Sequence, residues 1–327
     1  MLMRKLGSSG IDISAVGFGA WVTGGWMWGG SDDQQSIAAI HAALDQGINL
    51  IDTAPIYGYG HSEQVVGQAI RDRRDRIVLA TKCGLVWDRE EGTFFFHADD
   101  HGVTLRPTDK KVYKNLRPAS IRQEVERSLR NLQTDRIDLL QTHWQDPSTP
   151  LADTVAELER LKQEGKIRAI GVSNCSLEQL KAYGPIDSDQ EQYSMLDRKL
   201  EQNGMLQWCR ENNVSVFAYS PLANGLLTGK LRPDRQYNSG DVRKANPRFS
   251  PENVQRINGL LQQLQPAADR HGATIGQLVI AWTAAQPGMT CVLCGARDAQ
   301  QAKENAVAGK IELSAEEIAS MGQLIRE

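Results

Sequence analysis

The chain alternates short apolar runs with longer segments whose apolar positions recur at helical spacing. The runs are VGFGAW from Val16, INLIDTA from Ile48, IVLATKCG from Ile77, IDLLQTHW from Ile137, IRAIGVSN from Ile167, SDQEQYS from Ser188, VSVFAYSP from Val214 and MTCVLCGA from Met289. Their shortness and mostly β-branched, apolar content predict buried strands, with the sixth the weakest because it is largely polar. Between them, segments such as DQQSIAAIHAALDQG, SIRQEVERSLRNL and DTVAELERLKQEGK follow the helical period, and several close on glycine or a basic residue. Such alternation predicts right-handed βαβ units and a parallel sheet. Eight runs predict a closed α/β architecture, a (β/α)8 TIM barrel, spanning 1–327 as one domain.

Three stretches depart from the plain repeat. A hairpin signal around Gly7 to Gly10 predicts a lid across the bottom of the barrel. Long connections follow the third strand, from Leu85 to Ala119, and the seventh, from Leu222 to about Pro251. Connections of that length in a compact domain are functional or disordered. The tail from Leu313 to Glu327 predicts one further amphipathic helix outside the barrel.

Composition narrows the function classes. With 37 basic and 40 acidic residues spread along the chain, no basic footprint for nucleic acid is present. No stretch reaches the roughly twenty apolar residues of a membrane span, and the first residues lack a secretory pattern. Five scattered cysteines, Cys83, Cys175, Cys209, Cys291 and Cys294, suit reduced thiols and a cytoplasmic location. Cys291 and Cys294 form a CxxC inside a strand, where residues three apart face opposite sides, so neither a redox nor a metal role is expected.

Candidate chemistry lies at the strand ends, because in such a barrel the loops there surround a common cavity. In order these positions are Asp52, Lys82, His143, Ser173 with Asn174, Gln192, Tyr219 with Ser220, and Arg297. Tyr57 follows Asp52 in a glycine-broken loop. A free phenol with a pKa of about 10 exchanges protons poorly at neutrality unless a cation stabilises its phenolate. Lys82 can supply that cation, Asp52 can hold Lys82 in place, and His143 can position or share the proton of a substrate oxygen.

These residues, in the settings DTAPIYGYGHSE, ATKCG and LLQTHW, resemble the catalytic tetrad of the aldo-keto reductases. The resemblance covers nearly the whole chain, since GVSN, EQYS, AYSPLANGLLTGK and GARDAQQAKENAVA follow in the family's order. It is closest to the bacterial branch near the channel β-subunit-like proteins and the general sugar and aldehyde reductases. The resemblance implies a reductase in which a nicotinamide cofactor supplies hydride and Tyr57 protonates the carbonyl oxygen, tuned by Asp52 and Lys82 and oriented by His143. It implies that Ser173, Asn174 and Gln192 hold the carboxamide, that Tyr219 stacks on the nicotinamide, and that Ser220, Pro221, Leu222, Gly225 and Lys230 follow the pyrophosphate. Gly295, Ala296, Arg297, Gln301, Glu304 and Asn305 fall to the adenosine end, while Gly19, Ala20, Trp21 and Asp52 close the list of cofactor contacts.

Where the eighth strand opens a helix at GAR, backbone N–H groups and Arg297 would converge on a phosphate. NADPH is therefore the expected cofactor. Trp21, Trp26, Trp87 and Trp144 gather at strand ends and, with His143 and Tyr57, are the expected substrate contacts, flat surfaces suited to a sugar-derived or hydroxylated aldehyde. The polar loop residues Arg89, Lys114 and Arg243 point the same way, and His61 is close enough in sequence to Tyr57 to line the pocket. A small-molecule carbonyl substrate is the expected partner, and a homo-oligomer is compatible with the sequence.

Other readings have less behind them. GFGAWVTGG fails the Rossmann spacing, because the third glycine would fall at Val22. His97 and His101 have no third ligand at a recognisable spacing, so no metal is expected. A redox-sensing regulatory subunit with little turnover remains the alternative function, whereas a Schiff-base aldolase would need Lys82 deprotonated beside Asp52.

Overall fold

The structure is a computed structural model, and it describes residues 1–325. Eight parallel strands close into a barrel: β1 (Val16–Gly19), β2 (Leu50–Asp52), β3 (Val78–Cys83), β4 (Ile137–Thr142), β5 (Ile167–Ser173), β6 (Ser188–Gln192), β7 (Ser215–Tyr219) and β8 (Met289–Cys294). All eight apolar runs became barrel strands, the polar sixth included. That sixth run is stabilised by its place in the barrel, where Ser188 to Gln190 pair with β5 and Ser188 to Gln192 with β7.

Period-two alternation divides the barrel interior into layers. Leu50, Val78, Ala80, Leu139, Ala169, Phe217, Cys291 and Leu293 form one apolar cluster with Leu6, Ile11 and Ile13 of the N-terminal hairpin. The hairpin, Met3–Lys5 with Asp12–Ser14, thus plugs the bottom as expected. Two residues further along, Asp52, Lys82 and Gln141 replace Leu50, Ala80 and Leu139, with Gln190 of β6 beside them, so the interior changes from apolar to polar just below the mouth. Gly171 makes room there, since a Cβ would meet Ser188 Oγ at 2.3 Å and Gln141 Cγ at 2.9 Å.

The connection after β3 is more ordered than a long loop. Leu85–Val86, Thr93–Ala98, Val103–Thr104 and Lys110–Lys114 form a four-stranded antiparallel sheet. TFFFHA was readable as a strand, but its flanking polar residues hid it within the connection. The connection after β7 is built of short 3-10 turns, and Ala315–Leu324 forms the extra outer helix, where the Trp282 indole donates to Ile318 O. No helix among the described residues is long and apolar enough to cross a membrane.

Candidate active site

At the mouth, Lys82 Nζ donates to Asp52 Oδ1 at 2.6 Å and to Thr53 O at 3.0 Å, and lies 3.4 Å from the Tyr57 hydroxyl. Asp52 Oδ2 in turn accepts from the amides of Gln141 at 2.9 Å and Gln190 at 3.0 Å. Both oxygens of the buried carboxylate are thereby hydrogen-bonded, as toleration of a buried ion pair requires. The Tyr57 and His143 rings meet edge to face at 5.8 Å. The loop carrying Tyr57 is pressed against the segment after β1: a Cβ on Gly24 would fall 2.6 Å from Tyr57 O, so glycine permits the approach. The four residues expected to act together are together.

Their electrostatics follow from burial and from each other. Burial works against the charge of Lys82, but the Asp52 carboxylate, the Tyr57 phenol and the hydrogen bonds to both outweigh it and raise its pKa. For Tyr57 the balance goes the other way: burial raises the phenol above its ordinary value, and Lys82 only partly offsets this. The expectation that Lys82 would bring the phenol down is corrected accordingly, and the phenol is held as a proton donor. Burial, with Lys82 adding to it, pushes His143 well below the ordinary imidazole range. Its ring is therefore neutral at pH 7, and NMR titration should show no protonation of that imidazole between about pH 6 and 8, where free histidine titrates.

The tetrad opens into a cleft of about 870 Å³. Gly19, Trp21, Ser173, Asn174, Tyr219, Ser220, Pro221, Leu222, Gly225, Lys230, Gly295, Ala296, Arg297, Gln301, Glu304 and Asn305 line it, as do Trp26 and Trp144. Four expected contacts do not. Gln192 is the exposed last residue of β6, and Gln190, two residues earlier on the same strand face, lines the cleft instead. Ala20 is wholly buried behind the wall, its N–H donating to Asp52 O. Trp87 packs on Tyr59 and under Arg127, away from the cleft. His61 pairs with Asp33 at 3.0 Å and lines a separate small pocket. Arg89 binds Asp88 and Ser120, and Lys114 lies over the Phe95 and Trp144 rings, so of the three basic loop residues Arg243 alone lines the cleft.

Sequence reasoning missed Gln141, Gln190 and the wall built by Phe95 and Phe96. The two glutamines were accessible from strand alternation counted back from the strand ends. The phenylalanines required the antiparallel sheet, whose pairing stacks Trp26 on Phe96 and brings Phe95 to 5.1 Å from Trp144.

The cleft also fits a dinucleotide on its own features. The indole N–H of Trp28 is buried in its wall without an acceptor among the described residues. Ser220, Ala223 and Asn224 have φ of 54°, 46° and 55° along the rim, strain of a kind that persists where a ligand is held. Arg235, Arg243, Arg297 and Lys230 also line the cleft, cations suited to a diphosphate.

A parallel barrel with this ion pair, phenol and imidazole at its carboxyl-end mouth, opening into such a cleft, defines an oxidoreductase of carbonyl and alcohol groups that depends on NAD(P). Residues 15–326 match the aldo/keto reductase family, and the chain belongs to it. It is 42% identical over 323 residues to an NADH-specific methylglyoxal reductase of Escherichia coli (strain K12), covering 95% of each chain. It also resembles the structure of a glycerol dehydrogenase from Gluconobacter oxydans, with a TM-score of 0.85, 36% identity, and 98% of this chain and 94% of that one covered. A Klebsiella pneumoniae aldo/keto reductase in complex with NADP and acetate matches with a TM-score of 0.71 and 31% identity over 98% of this chain and 94% of that one.

Proposed function

We propose that this chain reduces a short hydroxylated or sugar-derived aldehyde to its alcohol, with Tyr57 as the proton donor. The observation that carries this reading is buried Lys82, its Nζ held between Asp52 at 2.6 Å and the Tyr57 hydroxyl at 3.4 Å, behind the cleft wall that Asp52 and Tyr57 line. A nicotinamide held in this cleft would supply the hydride. Tyr57 hydrogen-bonds the carbonyl oxygen and transfers its proton as charge builds there; Lys82 stabilises the phenolate left behind, and Asp52 keeps Lys82 charged. His143, neutral, donates a hydrogen bond from its other side and fixes the carbonyl's direction. Ser173, Asn174 and Gln190 are the polar groups placed to hold the carboxamide, beside Tyr219, whose hydroxyl donates to Asn174 Oδ1 at 2.9 Å.

The substrate class rests on the Trp21 N–H left without an acceptor beside the tetrad, and it agrees with relatives named methylglyoxal reductase and glycerol dehydrogenase. Arg297 favours NADPH through its guanidinium. A specific observation favours NADH instead: Asp298 caps the adjoining helix with its own carboxylate, and Lys230 is taken by Glu304 at 2.8 Å, so two carboxylates lie among the cleft cations that a 2′-phosphate would need. All five cysteines are free and buried, which fits the cytoplasm.

Cofactor oxidation with NADPH and NADH in parallel, over a panel from nitrobenzaldehyde through methylglyoxal and glyceraldehyde to oxidised hexoses, tests the reading. Turnover highest on the hydroxylated aldehydes is expected; fastest turnover on nitrobenzaldehyde would remove the substrate proposal, and tight cofactor binding without any turnover would favour a regulatory subunit. Arg297→Ala is expected to weaken NADPH binding about tenfold more than NADH binding. An equal loss would hand the preference to NADH.

A further inference from the structure

Asp189 and Glu191 flank Gln190 on β6 and, by strand alternation, face away from the barrel interior. Asp189 is fully buried, and neither of its carboxyl oxygens meets a donor among the described residues. An ionised carboxylate there would be an uncompensated buried charge, so Asp189 keeps its proton. Burial raises it well above the carboxylate range, and its neighbour Glu191 raises it further. Glu191 is pushed up to about 7 by burial, against the hydrogen bond from Cys175 N. Other titratable groups close to the pair are Cys175 after β5, Cys209 on the helix Met205–Glu211, and Tyr219 on β7, which also feels Asp197. Burial holds those two thiols and the phenol above their ordinary values, so they stay neutral and Glu191 is the group that changes charge near pH 7.

What Glu191 holds is the corner that shapes the cleft. Its Oε1 accepts from Cys175 N at 2.8 Å. The preceding residue, Asn174, is left-handed at φ 56°, and its side-chain amide donates to His143 O and to Ser173 Oγ, each at 3.0 Å. Asn174 Oδ1 accepts from the Tyr219 hydroxyl. One grip on Cys175 N therefore supports a strained residue tied to His143, Ser173 and Tyr219 together.

We propose that Glu191, beside a protonated Asp189, acts as a positioning group, gripping the Ser173–Cys175 corner while it is charged and loosening it when it takes up a proton. The proposal rests on the reading that Ser173 and Asn174 hold the cofactor's carboxamide. A charge-assisted bond is roughly twice as strong as a neutral one, so cofactor affinity should fall about three- to tenfold as pH drops from 8 to 6.

The test is the cofactor Kd from tryptophan fluorescence across that range, in the unmodified protein and two variants. Glu191→Gln, which keeps an acceptor for Cys175 N but cannot titrate, is expected to flatten the profile. Asp189→Asn, which imitates the protonated acid, is expected to keep the step. Infrared difference spectra of the unmodified protein between pH 8 and 6 should show a carboxyl becoming protonated, and that band should vanish in Glu191→Gln. A flat profile in the unmodified protein, a step that survives in Glu191→Gln, or no infrared change would overturn the proposal. If cofactor bound at no pH, the reductase reading would fall, and the infrared result would still decide the pair.

Discussion

Tyr57→Phe should lower kcat for aldehyde reduction by roughly 10²- to 10⁴-fold, the range for loss of a positioned general acid, while the cofactor Kd stays within about twofold. The substitution removes one oxygen from a ring that keeps its packing against Trp21 and His143, so the cleft's shape persists. Because burial raises the phenol's pKa and Lys82 only partly opposes this, the hydroxyl is protonated throughout the neutral range. Reduction should therefore be nearly flat in pH from about 6 to 9, whereas alcohol oxidation, which needs the phenolate, should climb with pH. Pre-steady-state turnover on the best aldehyde, with cofactor binding measured separately, checks both. A Tyr57→Phe variant retaining more than about a tenth of the rate would take the proton-donor role from Tyr57.

That prediction draws on residues visible in the sequence, and the reason is physical. Asp52, Lys82 and His143 stand where an apolar run stops, and a barrel brings all such stops to one mouth, so position along the chain was enough to group them. The hairpin and the outer helix were equally legible from local turn and helix patterns. What failed depended on register and on non-local pairing. Gln192 stands near the end of its run in the sequence, but it is the exposed last residue of β6, and Gln190 occupies the inward place beside Asp52. Trp87 lies only a few residues beyond Lys82, yet the antiparallel sheet turns it toward Tyr59 and Arg127 and sends Phe95 and Phe96 into the cleft instead. The helix after β8 looked like a plain phosphate site until Asp298 proved to cap it, its carboxylate accepting from Gln301 N at 2.8 Å.

Lys82→Met should be the most damaging single change to the fold as well as to the chemistry. It leaves Asp52, 3% exposed, as an unpaired buried charge with only the Gln141 and Gln190 amides for company, a loss of about 3–5 kcal/mol. Adding Asp52→Asn removes the orphaned charge and should restore most of the stability, because a neutral pair of similar volume is tolerated where a half-broken ion pair is not. Activity should not return in that double variant, since the phenol then lacks the cation that offsets its burial, and the alkaline rise of alcohol oxidation should move to higher pH. Lys82's pKa is raised in the folded chain, so the pair's contribution is complete below the unfolded lysine value and lost only as pH rises through the folded one. The stability gap between the native chain and Lys82→Met should thus be constant through neutral pH and narrow only in strong alkali. Urea unfolding of the three proteins at pH 7 and in alkali measures this; a double variant no more stable than Lys82→Met would mean that the lysine stem, not its charge, supports the barrel mouth.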